Sequence, residues 1–245
     1  MSILKKICRT VFSDKARSII SRKLFSTKYI KGTPKEIFEH VYLTNAWGSS
    51  ESASGTGSEV SKTKDLVTYL DTLINTYGIR NIFDVPCGDF NWMKNVDLAR
   101  IKYTGGDIVE KMIIKNNENY AKENITFVSF DLITDKISNT YDLIITRDCF
   151  VHLSFNEIRK SLLNIVSSGS KYLLVTSFVK TKENRDIKTG VEWRPVNMGI
   201  APFNFPDPIE HFVETNTETN WESNKTIALY VISDLKSLPL LATIA

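Results

Sequence analysis

From Ile79 onward the chain alternates short apolar, β-branched runs with longer stretches of helical periodicity, and this alternation restricts the fold more than any other feature. The runs are "RNIFDVP" (80–86), "KYTGGDI" (102–108), "ITFVSFD" (125–131), "YDLIITRD" (141–148) and "KYLLVTSF" (171–178). A helical pattern near 109–121 separates the second run from the third. Ser154-Phe155-Asn156-Glu157 has the form of a capping box and opens a second helix to about Ser167, with Gly169 as its stop. A helix over roughly 60–77 precedes the series, with Val60, Leu66, Val67, Leu70, Leu73, Ile74 and Tyr77 at helical spacing and Gly78 at the stop. Continuous apolar strands spaced by helices are those of a parallel sheet covered on both faces. Two later runs, "IEHFVE" (209–214) and "TIALYVI" (226–232), bring the expected sheet to seven strands, mostly parallel, in an α/β fold.

Charge is unevenly distributed. Residues 1–35 hold ten Lys/Arg against one Asp, a net +9, while the remainder carries 21 basic and 27 acidic residues, a net −6. We therefore divide the chain into a basic, partly helical arm (1–35, closed by Pro34) and a single domain (36–245). The arm suits an anionic membrane surface or an acidic partner, or docking on its own domain. The net −6 of the remainder argues against nucleic acid as the partner. Cys8, Cys87 and Cys149 are far apart and form no C-x-x-C pair, which fits a reducing cytosol. No apolar run approaches the length of a membrane span, and "MSILKKICRTVF" lacks the sustained apolar stretch of a cleaved leader. The expected location is the cytoplasm, with the arm able to touch the inner face of a membrane.

In an open parallel sheet, ligands lie beyond the carboxyl ends of the strands, at the switch in strand order. Four strand ends here finish in functional groups: Asp84, Gly88 and Asp89; Gly105-Gly106-Asp107; Asp131; and Arg147-Asp148. Gly88 lets backbone approach a ligand closely. An acid ending the second strand can accept both hydroxyls of a ribose, and Asp131 can accept from an exocyclic amine. Asp84 and Asp89 would repel a pyrophosphate but suit a cationic amino group. Taken singly, an Asp near a Gly is commonly a turn cap; four such motifs in order are the stronger signal. An adenosine without phosphate and with a cationic amino-acid tail describes S-adenosylmethionine.

"FDVPCGDFNWM", "GGDIV", "VSFDL" and "RDCFVHLS" resemble the successive motifs of class I S-adenosylmethionine-dependent methyltransferases, over roughly residues 60–178 and into the two late strands. The first motif departs from the glycine-rich form, with Pro86 in place of the first Gly and Asp89 after Gly88. "CGDFNW", "TNAWGSSESASGTGS" and "RPVNMGIAPFNFPDPI" are similar to elements of viral and bacterial glycan O-methyltransferases. The resemblance implies a Rossmann-like class I methyltransferase fold and contacts from Asp84, Pro86, Cys87, Gly88 and Asp89 to the methionyl part of the cofactor. It implies Asp107 for the ribose and Asp131 with Leu132 for the adenine. Trp92, Gly106, Ile108 and Arg147 complete the expected cofactor wall. The fifth strand runs into "TSFVKTKEN", without the Asp-Asn pair of magnesium-dependent catechol-type enzymes, so no metal is expected.

An alcohol that receives a methyl group must lose its proton, a task for His or a carboxylate. Asp148 and His152 stand four apart before the Ser154 helix, and the resemblance matches His152 to the His of an "E-V-L-E-H" style motif. We take His152 as the expected base, with Asp148 orienting it or sharing the role; capping a neighbouring backbone group is the competing role. Two excursions supply the remaining candidates. The Ser/Gly-rich segment 44–58, with Trp47, Glu51, Ser54 and Ser58, is expected to fold over the cofactor, and Trp47 and Glu51 are also expected to meet the substrate. The long connection 179–208 is expected to form a substrate-side lid, with Trp193, Arg194, Asn197, Phe203 and Phe205 lining an acceptor pocket; packing within the lid is the competing role for its aromatics. The expected activity is O-methylation of a sugar or surface glycan. A nucleic-acid or other small-molecule acceptor, and a non-catalytic nucleotide-binding protein, are the alternatives. The glycine turn does not fit an NAD(P) oxidoreductase.

Overall fold

A computed structural model describes residues 32–190, 192–214 and 224–242. Most of the basic arm, and any contact it makes with a membrane or partner, lies outside the described residues. The first described element is a helix, α1 (Pro34–Thr44). Pro34 therefore opens a helix rather than closing the arm: Thr33 caps it, Glu36 completes the capping box, and a proline at the first helical position gives up an N–H that has no partner there. Next come α2 (Val60–Thr76), β1 (Asn81–Asp84), β2 (Lys102–Asp107), α3 (Glu110–Tyr120) and β3 (Ile125–Ser129). The chain continues through β4 (Leu143–Thr146), α4 (Phe155–Ser167), β5 (Tyr172–Phe178), β6 (Glu210–Val213) and β7 (Lys225–Val231). The α4 box forms as expected, with Ser154 accepting from Glu157 N and Glu157 returning the bond.

The seven strands form one sheet in the order β3-β2-β1-β4-β5-β7-β6. All pairings among β1 to β5 are parallel, whereas β7 runs antiparallel to both β5 and β6. β1 sits between β2 and β4, and the loops leaving β1 and β4 part company there, which opens the switch-point crevice. Register aligns the rim, since Asp84 lies opposite Gly105 of β2 and Ile145 of β4.

Apolar side chains cover both faces. On one face α4 packs with residues 196–205 and 232–241 around Phe83, Ile144 and Val175. On the other, α2, α3 and the turn after β1 pack around Ile82, Tyr103 and Leu143. Arg194, Asn197, Phe203 and Phe205 are buried, so this part of the 179–208 connection is core and not a loose lid. The Asn184 side-chain amide cross-links it, donating to the Asn197 carbonyl and accepting from Asn197 N.

Close packing at the end of β2 is set by two glycines. A Cβ on Gly105 would lie 2.8 Å from Phe127, and one on Gly106 would lie 2.9 Å from the Phe83 ring. Gly106→Ala is expected to cost roughly 1–3 kcal/mol in denaturant unfolding, because ring and backbone must part to admit the methyl group. An unchanged midpoint would show that the sheet yields there freely.

Candidate active site

A cavity of about 1060 Å³ opens at the carboxyl ends of β1, β2 and β4. Its walls come from α1, the Ser/Gly-rich segment, the turns after β1 to β4, the end of β5, the 179–208 connection, the residue after β6 and the start of β7.

The turn after β1 forms the floor. Gly88 has a left-handed backbone (φ 57°), and a Cβ there would fall 2.2 Å from Ser54 Oγ. The Ser/Gly-rich segment is thus seated directly on this glycine. Asp89 clamps it: its carboxylate accepts from Ser52 Oγ (3.0 Å), Ala53 N (2.6 Å) and Ser54 Oγ (3.2 Å). Glu51 faces away from the cavity and is spent on structure, accepting from Val60 N and Asn91 Nδ2, both at 2.7 Å. The Ser richness of 44–58 therefore serves a fixed strap rather than a spacer.

Asp84 and Asp107 are both buried. Asp84 accepts from Tyr103 Oη at 2.8 Å, while burial pushes its carboxyl up to about 7. Asp107 accepts from Gly88 N and Val109 N, each at 3.0 Å; burial raises it to about 6, with those bonds opposing. Asp131 uses its oxygens to hold the next turn, accepting from Ile133 N and Thr134 Oγ1, and Leu132 beside it lines the cavity. Pro86, Cys87, Trp92, Ile108 and Arg147 also reach the wall. Gly106 does not: it lies behind the wall, and its carbonyl accepts from Cys87 N at 2.9 Å.

His152 occupies a single helical turn (Phe150–His152) leading to α4. Its Nδ1 lies 3.1 Å from the Glu192 carbonyl oxygen, and its ring packs against Trp47 at 5.3 Å between centroids. A carbonyl can only accept, so Nδ1 carries the proton and the neutral ring keeps its lone pair on Nε2. Burial lowers the pKa of the ring, partly offset by that hydrogen bond and by the nearby Asp148. Asp148 does not orient the imidazole through a hydrogen bond. Its carboxylate is taken by Lys225 and faces Arg147 at 3.5 Å. Burial would raise its pKa, but these two cations outweigh it and hold the group below the ordinary carboxylate value.

Trp47 and Trp193 line the cavity, whereas Arg194, Asn197, Phe203 and Phe205 do not. Arg194 spends its guanidinium on the carbonyls of Arg185, Phe150 and Leu153. Asn197 bonds the Val179 and Thr181 carbonyls. Phe203 packs edge-on to Phe155, and Phe205 to Tyr230. Three contributors escaped the reading of the sequence: Phe38 of α1, the Glu192 carbonyl, and the pair Glu214 and Lys225. The Thr33-Pro34-Lys35-Glu36 box would have revealed α1. No sequence signal marks a carbonyl, or two residues that meet only once β6 and β7 have paired. Among the described residues no group of His, Cys, Asp and Glu is arranged to hold a metal ion.

Sheet order, the lone antiparallel strand and a cavity at the switch point together define the class I methyltransferase fold. No family model matches the chain, and no curated protein matches it in sequence. Solved structures do match. The magnesium protoporphyrin IX methyltransferase of Synechocystis, crystallised with bound SAM, aligns with a TM-score of 0.55 and 16% identity, over 82% of this chain and 98% of its own. The N-methyltransferase NodS of Bradyrhizobium japonicum aligns with a TM-score of 0.53 and 11% identity, over 70% of this chain and 96% of its own. At such identities the likeness is one of fold.

Two outcomes follow from these acids. Asp84 titrates near 7 when folded but near its ordinary 3.8 when unfolded. The folded state then holds more protons between those values, so the ligand-free protein loses stability as pH rises through that window. Asp84→Asn, which can still accept from Tyr103, is expected to flatten this dependence and raise the thermal midpoint at pH 8; an unchanged pH profile would refute it. Asp89→Ala is expected to free the strap, seen as faster amide exchange at Ala53 with the sheet unaffected. Unaltered exchange at Ala53 would mean the clamp is held elsewhere.

Proposed function

We propose that the chain is an S-adenosylmethionine-dependent O-methyltransferase acting on a hydroxyl of a sugar or surface glycan. The observation that carries this reading is the pairing, in one cavity, of buried acids at the β1 and β2 ends with an imidazole whose Nε2 lone pair is fixed by the Glu192 carbonyl. The residues fit the cofactor. Asp84 and Asp107 are buried at the cavity without a cationic hydrogen-bond partner among the described residues, an arrangement complementary to a cationic ligand. The cofactor supplies a methyl group already activated by a positively charged sulfur.

The chain's own groups do the rest. Asp107, tied to Gly88 N and Val109 N, is the ribose residue, and Asp131 with Leu132 borders the adenine. Asp89 acts through the strap, holding Ser52 to Ser54 over the Gly88 turn. With the cofactor bound, His152 Nε2 would accept the proton that the substrate hydroxyl loses as it takes the methyl group. Positioning and proton removal are the two contributions required. Asp148 stays charged and favours the imidazolium that forms. Trp47 and Trp193 present aromatic faces suited to sugar C–H surfaces. No helix among the described residues is long and apolar enough to cross a membrane; a cytoplasmic enzyme with a basic arm meeting an anionic surface agrees with the charge pattern.

Calorimetry with S-adenosylmethionine and S-adenosylhomocysteine tests the cofactor, and binding of neither would end this reading. His152→Ala is expected to leave S-adenosylhomocysteine affinity near that of the parent while lowering kcat by roughly 10²–10⁴-fold. In the parent, the acid limb of the rate profile should fall below the ordinary imidazole value, because burial lowers the His152 pKa. Full turnover by the variant would remove His152 as the base. Methyl transfer across a panel of deoxysugars, nucleotide sugars, glycans and polynucleotides identifies the acceptor.

A further inference from the structure

Arg147, Asp148, Glu214 and Lys225 form a charge-balanced cluster in the cavity wall. It has two layers. The lower pair is sealed: Arg147 Nη2 meets Glu214 Oε2 at 2.6 Å, with the side chains 5% and 3% exposed. The upper pair, Lys225 and Asp148, lies nearer the open space, at 11% and 29%. Lys225 Nζ spends two of its three hydrogens, on Asp148 and on Glu214 at 3.2 Å. Both cations meet Asp148 through Oδ2, and its other oxygen has no hydrogen bond among the described residues. Below them Glu214 Oε1 is buried with no partner among the described residues. Buried polar atoms are seldom left unpaired, and each one costs free energy. A cluster with a spare donor and spare acceptors in a cavity wall is one that a ligand completes.

We propose that the Asp148–Lys225 pair docks a vicinal diol of the methyl acceptor. One hydroxyl donates to Asp148 Oδ1, and its neighbour accepts from the Lys225 ammonium. Lys225 is then a specificity residue. It lies on β7, outside every motif that marks the cofactor wall. The pair's link to methyl transfer rests on the function proposed above, because the same Asp148 stands close enough to His152 to influence its protonation. Docking itself needs no cofactor. Charged groups that bind a hydroxyl discriminate against an analogue lacking it, since the analogue leaves them desolvated and unpaired.

The test is binding of methyl glycosides bearing a vicinal diol, compared with their monodeoxy counterparts, by calorimetry or saturation-transfer NMR. The parent protein is expected to bind the diol roughly tenfold or more tightly than either deoxy form. Lys225→Met should bind all of them with the same weak affinity, while retaining S-adenosylhomocysteine binding. A purely structural lysine would lower every affinity together and leave the discrimination intact. Equal binding of diol and deoxy glycosides by the parent, or discrimination that survives in Lys225→Met, overturns the proposal. The parent comparison requires no variant, so it decides even if Lys225→Met fails to fold. Discrimination by a parent that binds no S-adenosylhomocysteine would refute the cofactor reading and leave the docking pair standing.

Discussion

Arg147 ties the site together. Its guanidinium meets Glu214 at the start of the β6–β7 connection, donates to the Gly57 carbonyl of the strap at 2.9 Å, and faces Asp148. It also lies 5.4 Å from the centre of the Trp92 ring. Three segments remote in sequence therefore converge on one planar cation. A buried ion pair adds little net stability against an apolar replacement, but stripping one partner leaves an uncompensated charge and costs about 3–5 kcal/mol. What Arg147 contributes is position: the strap, the β4 end and the β7 lysine are held in one mutual arrangement.

The acidic half of the cavity has a different logic. Asp84 and Asp107 are buried where carboxylates are costly, and both are pushed up in pKa by that burial. A core optimised for stability alone would not put them there. Their hydrogen bonds to Tyr103, Gly88 and Val109 hold them in place without neutralising them. A cationic ligand would relieve this cost.

Much of the fold was legible because its signals are local. The α4 capping box needs only Ser154 and Glu157, and it formed at that place. The central strands β1 and β4 announced themselves as continuous apolar runs because both of their faces are covered. Strand ends were read too long: "YDLIITRD" shrinks to Leu143–Thr146, because its last residues turn into the cavity instead of pairing. α1 was missed because Pro34 was read as a stop when it stands at the one helical position that favours proline. In the 179–208 connection, Arg194, Asn197, Phe203 and Phe205 had the side chains of a sugar pocket but the burial of a core. Composition cannot tell an Arg that binds a ligand from one that binds three carbonyls.

The sequence by itself determined the layered α/β architecture, the order of the acidic strand ends and the candidate base, since each rests on residue spacing within one element or turn. Tertiary structure alone decided that Asp89 holds the strap rather than standing open. It likewise decided that the Glu192 carbonyl, not Asp148, sets the His152 tautomer, and that Lys225 belongs to the site. These depend on backbone groups and on partners up to 77 positions apart, as for Lys225 and Asp148. Such contacts form only after the sheet closes, and no local pattern in the chain encodes them.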